Sequence, residues 1–259
     1  LAAQGVMVAP HAVIIQHSTR SGAITLYNPN TGPAEVEIST LFGYPVTDSA
    51  GQYRLEVVAE PDSTMPSAAG WLQAFPRRTR LAPLQRQTVR ILGRPPAGLP
   101  DGEYWARLVI SARGGQVPIA NAPDSGDIKV GLTLEVRTII PVQYRKGRPT
   151  TGVALGAIST SREGDSLRVR IPMTRVGNAA YIGTLRAALI DSAGREVSSG
   201  SGPLAVYYSL APDYMLPVAG LPSGPYMLHV ELSTEREDLG SDQLLPVPVQ
   251  RDSIQVRLP

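Results

Sequence analysis

The chain has 259 residues, of which 42% are hydrophobic, 18% charged and only 5% aromatic, and its formal net charge is +2. A chain of this length can bury its own core in one large or two ordinary domains. The absence of cysteine excludes disulfides and thiolate metal sites. Because the arginines are interleaved with acids, the charge pattern is not that of a nucleic-acid-binding protein. No apolar run approaches the roughly 18 residues of a transmembrane helix.

Proline and glycine are frequent, with 24 and 25 residues, and short alternating windows are found where a helix would need a 3.6-residue period. The pattern predicts an all-β chain. The strands predicted in the first half lie near residues 5–15, 22–28, 33–42, 53–58, 86–92, 103–112 and 127–137, with an added strand and loop within 60–80. Those predicted in the second half lie near residues 153–159, 166–173, 180–190, 195–198, 204–208, 225–233 and 243–257.

Two turn sequences occur twice, in the same order in each half. The first is Asp-Ser-Ala-Gly, within "TDSAGQYRLEV" (47–57) and "IDSAGREVSSG" (190–200). The second is "AGLPDGEY" (97–104), which returns as "AGLPSGPY" (219–226). Asp-Ser-Ala-Gly between two strand-like runs is typical of a hairpin, because Asp starts the turn and Gly accepts a positive φ.

The repeats predict two tandem domains of one architecture, with about seven short strands each, as in an immunoglobulin-like β-sandwich. We place the domains at 1–145 and 146–259, joined through the polar segment "QYRKGRPTTG" (143–152). Tyr104 and Tyr226 each end a repeated turn, where a tyrosine corner belongs. Their expected role is therefore structural.

Four stretches of the first half, in order, resemble one family. They read "VMVAPHAVII" (6–15), "SGAITLYNPNTGPAEVEIS" (21–39), "FPRRTRLAPLQRQTVRI" (75–91) and "LPDGEYWARLVI" (99–110), and "IPVQYR" (140–145) resembles the family's exit into a second domain. Together they are similar to the N-terminal domain of the PapD-like periplasmic pilus-assembly chaperones, over roughly 140 residues. The second half resembles a generic immunoglobulin-like domain.

The resemblance implies a partner-binding strand. Chaperones of this family present an alternating apolar strand to a pilin subunit that lacks one. Here "DIKVGLTLEVR" (127–137) alternates, and an ordinary half-buried strand is the alternative interpretation. The partner-binding candidates on its apolar face are Ile128, Val130, Leu132, Leu134 and Val136.

Two positions depart from the family pattern. The family holds the terminal carboxylate of its subunit with an arginine on the first strand and a lysine near the end of the last. Alignment on the Ala-Val step places His11 at the arginine position, and alignment on the Tyr-Arg step places Pro141 at the lysine position. Neither offers a fixed positive charge. The resemblance therefore implies that this anchor is missing.

We find no motif for catalysis, a cofactor or a metal ion, and we expect none. There are three histidines, His11, His17 and His229, and no acidic cluster lies near His11 and His17 in sequence. "APDSGD" (122–127) could hold calcium, but a loop before a strand explains it better. The densest basic cluster, Arg77, Arg78 and Arg80, is interpreted as a solvated loop, with an acidic partner or an anionic lipid surface as the alternative.

The first functional hypothesis is a non-catalytic scaffold subunit in the cell envelope. It would dock on other envelope or membrane proteins at the extracytoplasmic face of a membrane complex, a photosynthetic reaction-centre and antenna assembly being one example of a host. The alternative is a non-standard PapD-like chaperone in the periplasm that binds its client by strand addition. An adhesin or carbohydrate-binding sandwich has little support, because Trp71 and Trp105 both fit core positions.

Overall fold

The structure, a computed structural model, describes residues 5–116 and 133–258, and every regular element in those ranges is a β-strand. The predicted all-β class is confirmed. The strands of the first half are β1 (Met7–Ala9), β2 (Val13–Gln16), β3 (Ser21–Tyr27), β4 (Ala34–Thr47), β5 (Tyr53–Val58), β6 (Leu72–Phe75), β7 (Arg78–Leu81), β8 (Arg86–Gly93), β9 (Gly102–Gln116) and β10 (Thr133–Lys146).

Ten more strands make up the second half. They are β11 (Thr151–Leu155), β12 (Ser159–Glu163), β13 (Ser166–Arg170), β14 (Met173–Gly177), β15 (Tyr181–Ile190), β16 (Glu196–Val206), β17 (Ser209–Leu210), β18 (Asp213–Pro217), β19 (Gly224–Ser233) and β20 (Gln250–Leu258). None of the elements within the described ranges is a helix with the length and apolarity needed to span a bilayer.

The chain folds as two compact units that do not follow a single cut in the sequence. One unit comprises the residues up to Gly43 and Val57–Gly147, and the other Tyr44–Glu56 and the residues from Arg148 onward. The end of β4 from Tyr44 onward, the start of β5 up to Glu56 and the turn that joins them therefore belong to the second unit. The domain bounds predicted from the sequence, 1–145 and 146–259, assign this hairpin to the first domain instead.

The first unit is a sandwich of two sheets. One sheet has the strand order β1-β3-β8-β6, and the other has the order β2-β10-β9-β4-β5, with β7 also paired to β4. Alternate residues of each strand point inward and form one core, as expected for strands with one buried face. Its largest fully buried side chains include Ile15, Leu26, Leu81, Leu108 and Tyr144.

The second unit has a core of its own between three sheets. Their strand orders are β16-β15-β19-β20, β11-β14-β17 and β12-β13-β18. The buried residues Val169, Leu189, Val206 and Leu228 lie in this core. The two units thus match the predicted pair of β-sandwiches.

Strand order supports one architecture for both units. In the first, the last strand β10 pairs with β9, which pairs with β4 and then β5. In the second, the last strand β20 pairs with β19, which pairs with β15 and then β16. The repeated turns occupy equivalent places, since Asp-Ser-Ala-Gly joins β4 to β5 and β15 to β16.

Both Asp-Ser-Ala-Gly turns have the same hydrogen bonds. The carboxylate of Asp48 accepts from the backbone N–H groups two and four residues later, each at 2.9 Å. The carboxylate of Asp191 does the same, again at 2.9 Å. The glycine of each turn has a positive φ, 72° at Gly51 and 78° at Gly194, so a residue with a Cβ would be strained there. Identical local chemistry therefore sets both hairpins.

The second repeat forms a tyrosine corner in each unit. The hydroxyl of Tyr104 donates to the carbonyl of Pro100 at 3.0 Å, and that of Tyr226 donates to Pro222 at 2.8 Å. In both cases the acceptor lies four residues back, at the proline of the Leu-Pro step. The corner thus ties the start of β9 or β19 to the turn before it.

The buried carboxylate of Asp213 lies against the tip of the β4–β5 hairpin, within the second unit. The side chain of Asp213 is only 5% exposed and accepts from Arg168 Nε at 2.7 Å and from Arg170 Nε at 2.8 Å. Arg170 also donates to the carbonyl of Ser49 at 2.9 Å, and Gly51 lies against the Asp213 carboxylate. The hydrogen bonds from Arg170 and then Arg168 lower the pKa of Asp213.

Several elements differ from the sequence-based expectation. The strand predicted at residues 5–15 is two strands in the structure, β1 and β2. Pro10 lies between them, and they pair in different sheets. The region 60–80 holds two short strands, β6 and β7, where one was expected. The strand predicted at 127–137 is described only from Thr133 and continues to Lys146. In the second half the short strands β12, β14, β17 and β18, of two to five residues each, were missed.

We predict that Tyr226→Phe lowers the stability of the second unit by about 1 kcal/mol, because the change removes one hydrogen bond beside a buried ring. Calorimetric unfolding of the full chain measures the effect. Tyr104→Phe is the matched comparison and should cost less, because the Tyr104–Pro100 bond is exposed. Equal melting temperatures for Tyr226→Phe and the unchanged protein would contradict the role of the corner.

A second prediction concerns pH. The lowered pKa of Asp213 means that its ion pairs stabilise the folded state above the unfolded-state pKa of about 3.9 and that this contribution is lost as pH falls through the lower folded-state value. Asp213→Asn should therefore destabilise the second unit at pH 7, and the difference should shrink toward pH 2.5. Calorimetry across this range tests it, with exposed Asp252→Asn as control. A difference that is independent of pH would refute the ion-pair contribution.

Candidate functional site

Strand β10 is covered unequally by its two neighbours. On one side it pairs with β9 from end to end, and on the other side β2 covers only Val142–Arg145. Among the residues the structure describes, no strand lies along the outer side of Thr133–Pro141. This stretch is an open sheet edge, and we refer to it as the β10 edge.

The direction of each backbone group on the β10 edge follows from one hydrogen bond. The N–H of His17 donates to the carbonyl of Arg145 at 2.8 Å, so Arg145 points its backbone groups toward β2. Neighbouring residues of a strand alternate in this respect, and the register with β9 is regular from Glu135 onward. Glu135, Arg137 and Ile139 therefore direct both N–H and C=O groups at the open edge.

Pro141 is also a residue whose backbone faces away from β9. Proline has no N–H, and a proline in a strand interior is tolerated where the missing donor would not face a neighbouring strand's acceptor. By the alternation above, the absent donor of Pro141 faces the open edge just before β2 begins at Val13. The β9–β10 ladder is thus undisturbed, and the open donors of the β10 edge end at Ile139.

The inner face of β10 becomes exposed where β2 no longer covers it. Ile140 and Tyr144 lie in the core, with 3% and 0% exposure, whereas Leu134 on the same face is 40% exposed. Val136 is half-buried and contacts Gly5. An added strand along the β10 edge would cover these apolar side chains as β2 covers the other end.

Charged side chains occupy the outer face of the β10 edge. Glu135 accepts from Arg113 of β9 at 2.7 Å and from Arg137 at 2.5 Å. These two hydrogen bonds lower the pKa of Glu135, so the carboxylate is ionised at neutral pH. Beyond them, Ile139 is 43% exposed and adds an apolar position to this face.

Other edge strands of the described residues differ from the β10 edge in length or in burial. In the first unit β1, β6 and β7 have only three or four residues, and short strands are a usual protection of sheet edges. The edge strand β5 has six residues and also carries exposed apolar side chains, Tyr53 and Val57. In the second unit β16 and β20 are long edge strands, but their inward residues Leu204, Val206, Val256 and Leu258 are buried. We take the β10 edge as the candidate site because its open stretch, Thr133–Pro141, is longer than β5 and lies beside exposed Leu134.

A buried ion pair holds the closed end of β10. Arg145 Nε donates to Glu103 of β9 at 2.8 Å, and the other oxygen of Glu103 accepts from the indole of Trp105 at 2.8 Å. The Glu103 and Arg145 side chains are 0% and 4% exposed. Because neither charge reaches water, each depends on the other.

The candidate binding residues of the sequence divide between described and undescribed parts. Ile128, Val130 and Leu132 lie outside the described residues. Leu134 and Val136 lie on the inner face of β10, at its open end. The role proposed for them in partner binding stays a prediction.

The two positions that depart from the family pattern lie near the other end of the edge. His11 is exposed, in the connection between β1 and β2. Pro141 lies opposite Arg107, whose Nε donates to the carbonyl of Gly43 at 2.9 Å. That His11 and Pro141 replace an anchor is implied only by the resemblance.

The basic cluster lies on the far side of the same sheet. Arg78 and Arg80 belong to β7, which pairs with β4, and Arg77 precedes it. All three are exposed, and Arg78 donates to Glu37 at 2.8 Å. With β4 and β9 between them and β10, these arginines do not join the β10 edge. Contact with a partner or lipid through them stays untested.

The histidines do not form a metal site in the described ranges, where no group of three or more metal-ligating side chains occurs. His17 Nδ1 instead lies 2.6 Å from the hydroxyl of buried Tyr144. With this contact, His17 covers the end of the first unit's core beside β2.

Sequence reasoning missed Ile139 and did not select Glu135 and Arg137, which lie on the other face of the predicted strand 127–137. The alternation was assigned to 127–137 and "IPVQYR" (140–145) to an exit, so the strand was divided at its middle. The signal that could have found them is Pro141 within a long alternating run, because such a proline marks an edge position.

Comparison with known proteins returns similar structures but no similar sequence. No protein-family model matches the chain, and no curated protein matches it. The YadV chaperone is similar in structure with 18% identity and a TM-score of 0.45, over 98% of this chain and 99% of that one. A chain from the Salmonella enterica complex of SafA pilin and SafB chaperone has 15% identity and a TM-score of 0.44, over 98% of each chain.

The CupB2 chaperone of Pseudomonas aeruginosa is also similar, with 15% identity and a TM-score of 0.42, over 97% of this chain and 100% of that one.

We predict that Glu103→Ala destabilises the first unit by about 3 kcal/mol, because it leaves the Arg145 charge buried without its carboxylate. Both tryptophans, Trp71 and Trp105, lie in this unit, so urea unfolding followed by tryptophan fluorescence reports on it directly. Glu37→Ala, which breaks the exposed pair with Arg78, is the control and should cost about 0.5 kcal/mol or less. Similar losses for the two variants would contradict the assignment.

Proposed function

We propose that the protein binds an extended segment of another envelope protein as an added strand along the β10 edge. In this role it is a non-standard assembly chaperone of PapD-like fold, without catalysis or a cofactor. Its partners are other envelope or membrane proteins, and its compartment is the periplasm. The compartment and the chaperone role come from the family resemblance of the sequence.

One observation carries the proposal. Three residues of β10, Glu135, Arg137 and Ile139, direct backbone donors and acceptors at an edge that no other described strand covers. A strand added there gains main-chain hydrogen bonds along its length, which is the basis of β-strand addition. Unpaired edges of this length otherwise promote aggregation, so natural proteins rarely leave them open without use.

The side chains beside this edge supply the second support. Leu134 is 40% exposed on the face that enters the core from Ile140 onward, so an incoming strand with apolar side chains on that face would remove it from water. Full burial of a side chain of this kind contributes roughly 1.5–3 kcal/mol. The backbone supplies affinity, and the apolar face selects alternating segments.

The scaffold hypothesis has a permanent partner. The two functions differ in lifetime: a scaffold stays in a stoichiometric complex through purification from membranes, whereas a chaperone exchanges its client. The open edge is compatible with either lifetime, whereas the resemblance of the sequence is to chaperones. We therefore propose transient binding.

Ile139 allows a test that leaves the sandwich intact. Since its N–H faces the open edge and not β9, Ile139→Pro should fold normally, as native Pro141 does. It removes one donor and crowds an incoming strand, so capture of client should fall about tenfold or more. Ile139→Ser is the matched control, because it removes the same side chain and keeps the N–H, and it should retain most binding.

The experiment uses the full-length tagged chain and a solubilised envelope extract, with captured polypeptides quantified by mass spectrometry. We expect one set of polypeptides that the unchanged protein and Ile139→Ser retain and that Ile139→Pro loses. Retention of the same set by Ile139→Pro would show that strand addition at this edge is not the binding mode. Tryptophan fluorescence confirms that all three proteins are folded.

A further inference from the structure

The outer face of the sheet β1-β3-β8-β6 carries positive charge and no acid. Outward residues on these four strands alternate with buried ones, and none of the outward residues is Asp or Glu. The sequence around them is also free of acid, since residues 1–34 and 63–100 contain neither Asp nor Glu. Among the residues the structure describes on this face, the charged ones are Arg86 and Arg90 of β8. We refer to this surface as the acid-free face.

Exposed apolar side chains lie beside both arginines. In the register of the sheet Phe75 is opposite Arg90, and Phe75 is 71% exposed. Tyr27 is opposite Arg86, whose guanidinium lies 5.3 Å from the centre of the Tyr27 ring. On the other side of Tyr27, Met7 is 60% exposed. The acid-free face thus has two groups of residues, each with one arginine and at least one exposed apolar side chain.

The charges of Arg86 and Arg90 are not balanced within the protein. Both residues are exposed, and no ion pair is found for either within residues 5–116 and 133–258. The outer face of the opposite sheet differs, because there the acid Glu37 pairs with Arg78. A surface of one sign attracts opposite charge from a distance, whereas a surface of mixed sign does so much less. The acid-free face therefore fits an anionic partner.

We propose that the acid-free face binds the surface of an anionic lipid membrane. Interfacial binding combines attraction of basic side chains to acidic headgroups with burial of apolar side chains at the headgroup boundary. Here Arg86 and Arg90 would contact lipid phosphates, while Met7 and Phe75 enter the headgroup layer. The proposal does not depend on the β10 edge, and it adds a membrane surface to the partners of the chain.

The spacing of these residues favours a membrane over an acidic protein segment. Met7 and Phe75 lie on the two edge strands of the sheet, which are about 14 Å apart at the usual strand spacing. Arg86 and Arg90 lie between them on one strand, about 13 Å apart. A protein ligand would need acids at two matching positions, whereas mobile lipid headgroups can reach each arginine separately. The breadth of the face is therefore a better match to a lipid surface.

Vesicle binding by the full chain tests the proposal. The unchanged protein should sediment with vesicles of about 30% phosphatidylglycerol in phosphatidylcholine, and raising the salt from about 0.05 to 0.5 M should release it. It should not sediment with phosphatidylcholine alone. The double variant Arg86→Gln/Arg90→Gln should bind roughly 25-fold more weakly, about fivefold for each charge. Arg78→Gln, which removes a charge from the opposite sheet, is the control and should retain binding.

Phe75 provides a readout that is specific to lipid. Phe75→Trp should keep binding, and bromine-labelled lipids in anionic vesicles should quench the fluorescence that this variant adds to that of the unchanged protein. Phe75→Ser should weaken vesicle binding roughly fivefold, because the aromatic ring no longer enters the headgroup layer. All the substituted residues are exposed, so the variants should fold, and urea unfolding checks this.

Three results would overturn the proposal: equal binding by the double variant and the unchanged protein, equal binding to phosphatidylcholine alone, or no quenching in Phe75→Trp. Binding of polyglutamate without binding of anionic vesicles would assign the acid-free face to an acidic protein and would also overturn it. Client capture through the β10 edge is measured separately with Ile139→Pro, so failure of one proposal leaves the other standing.

Discussion

The antiparallel ladder between β9 and β10 is the interaction on which the first unit depends. It assigns every second backbone group of β10 to β9 and leaves the others facing outward, where β2 covers four residues and nothing described covers the rest. The same ladder places the buried pair of Glu103 and Arg145 across two strands. One end of β10 is thus closed by a buried charge pair, and among the described residues the other end is open beside a solvated one. This contrast makes an open edge compatible with a stable sandwich.

Local turn chemistry provides the frame in which that ladder forms. The Asp-Ser-Ala-Gly turn and the tyrosine corner have the same hydrogen bonds in both units, although the units share little other sequence. Each turn acts over four or five residues and needs no distant contact. Two sandwiches can therefore share a strand order while their edges, faces and partners diverge, so the repeat describes architecture and not function.

The same distinction explains what could be predicted from the sequence. The hairpins, the corners at Tyr104 and Tyr226, and most long strands follow from local residues and were found. The short strands β12 and β18 were missed, because their pairing with β13 decides them. The open edge could be found only in part: the apolar alternation indicates a strand, but whether β2 covers that strand is a tertiary fact. Likewise, no local signal assigns the hairpin Tyr44–Glu56 to the second unit.

That assignment has a consequence for how the chain can be divided. Because the second unit includes Tyr44–Glu56, a fragment that begins at Arg148 lacks part of its own unit. Arg170 would lose the carbonyl of Ser49, and Ala211 would lose the hydroxyl of Thr47, which accepts its N–H at 2.8 Å. Conversely, a fragment that ends at Gly147 would expose a hairpin whose contacts lie elsewhere. If the second halves of two related chains were exchanged, Tyr44–Glu56 would have to be exchanged together with the residues from Arg148 onward to keep the second unit intact.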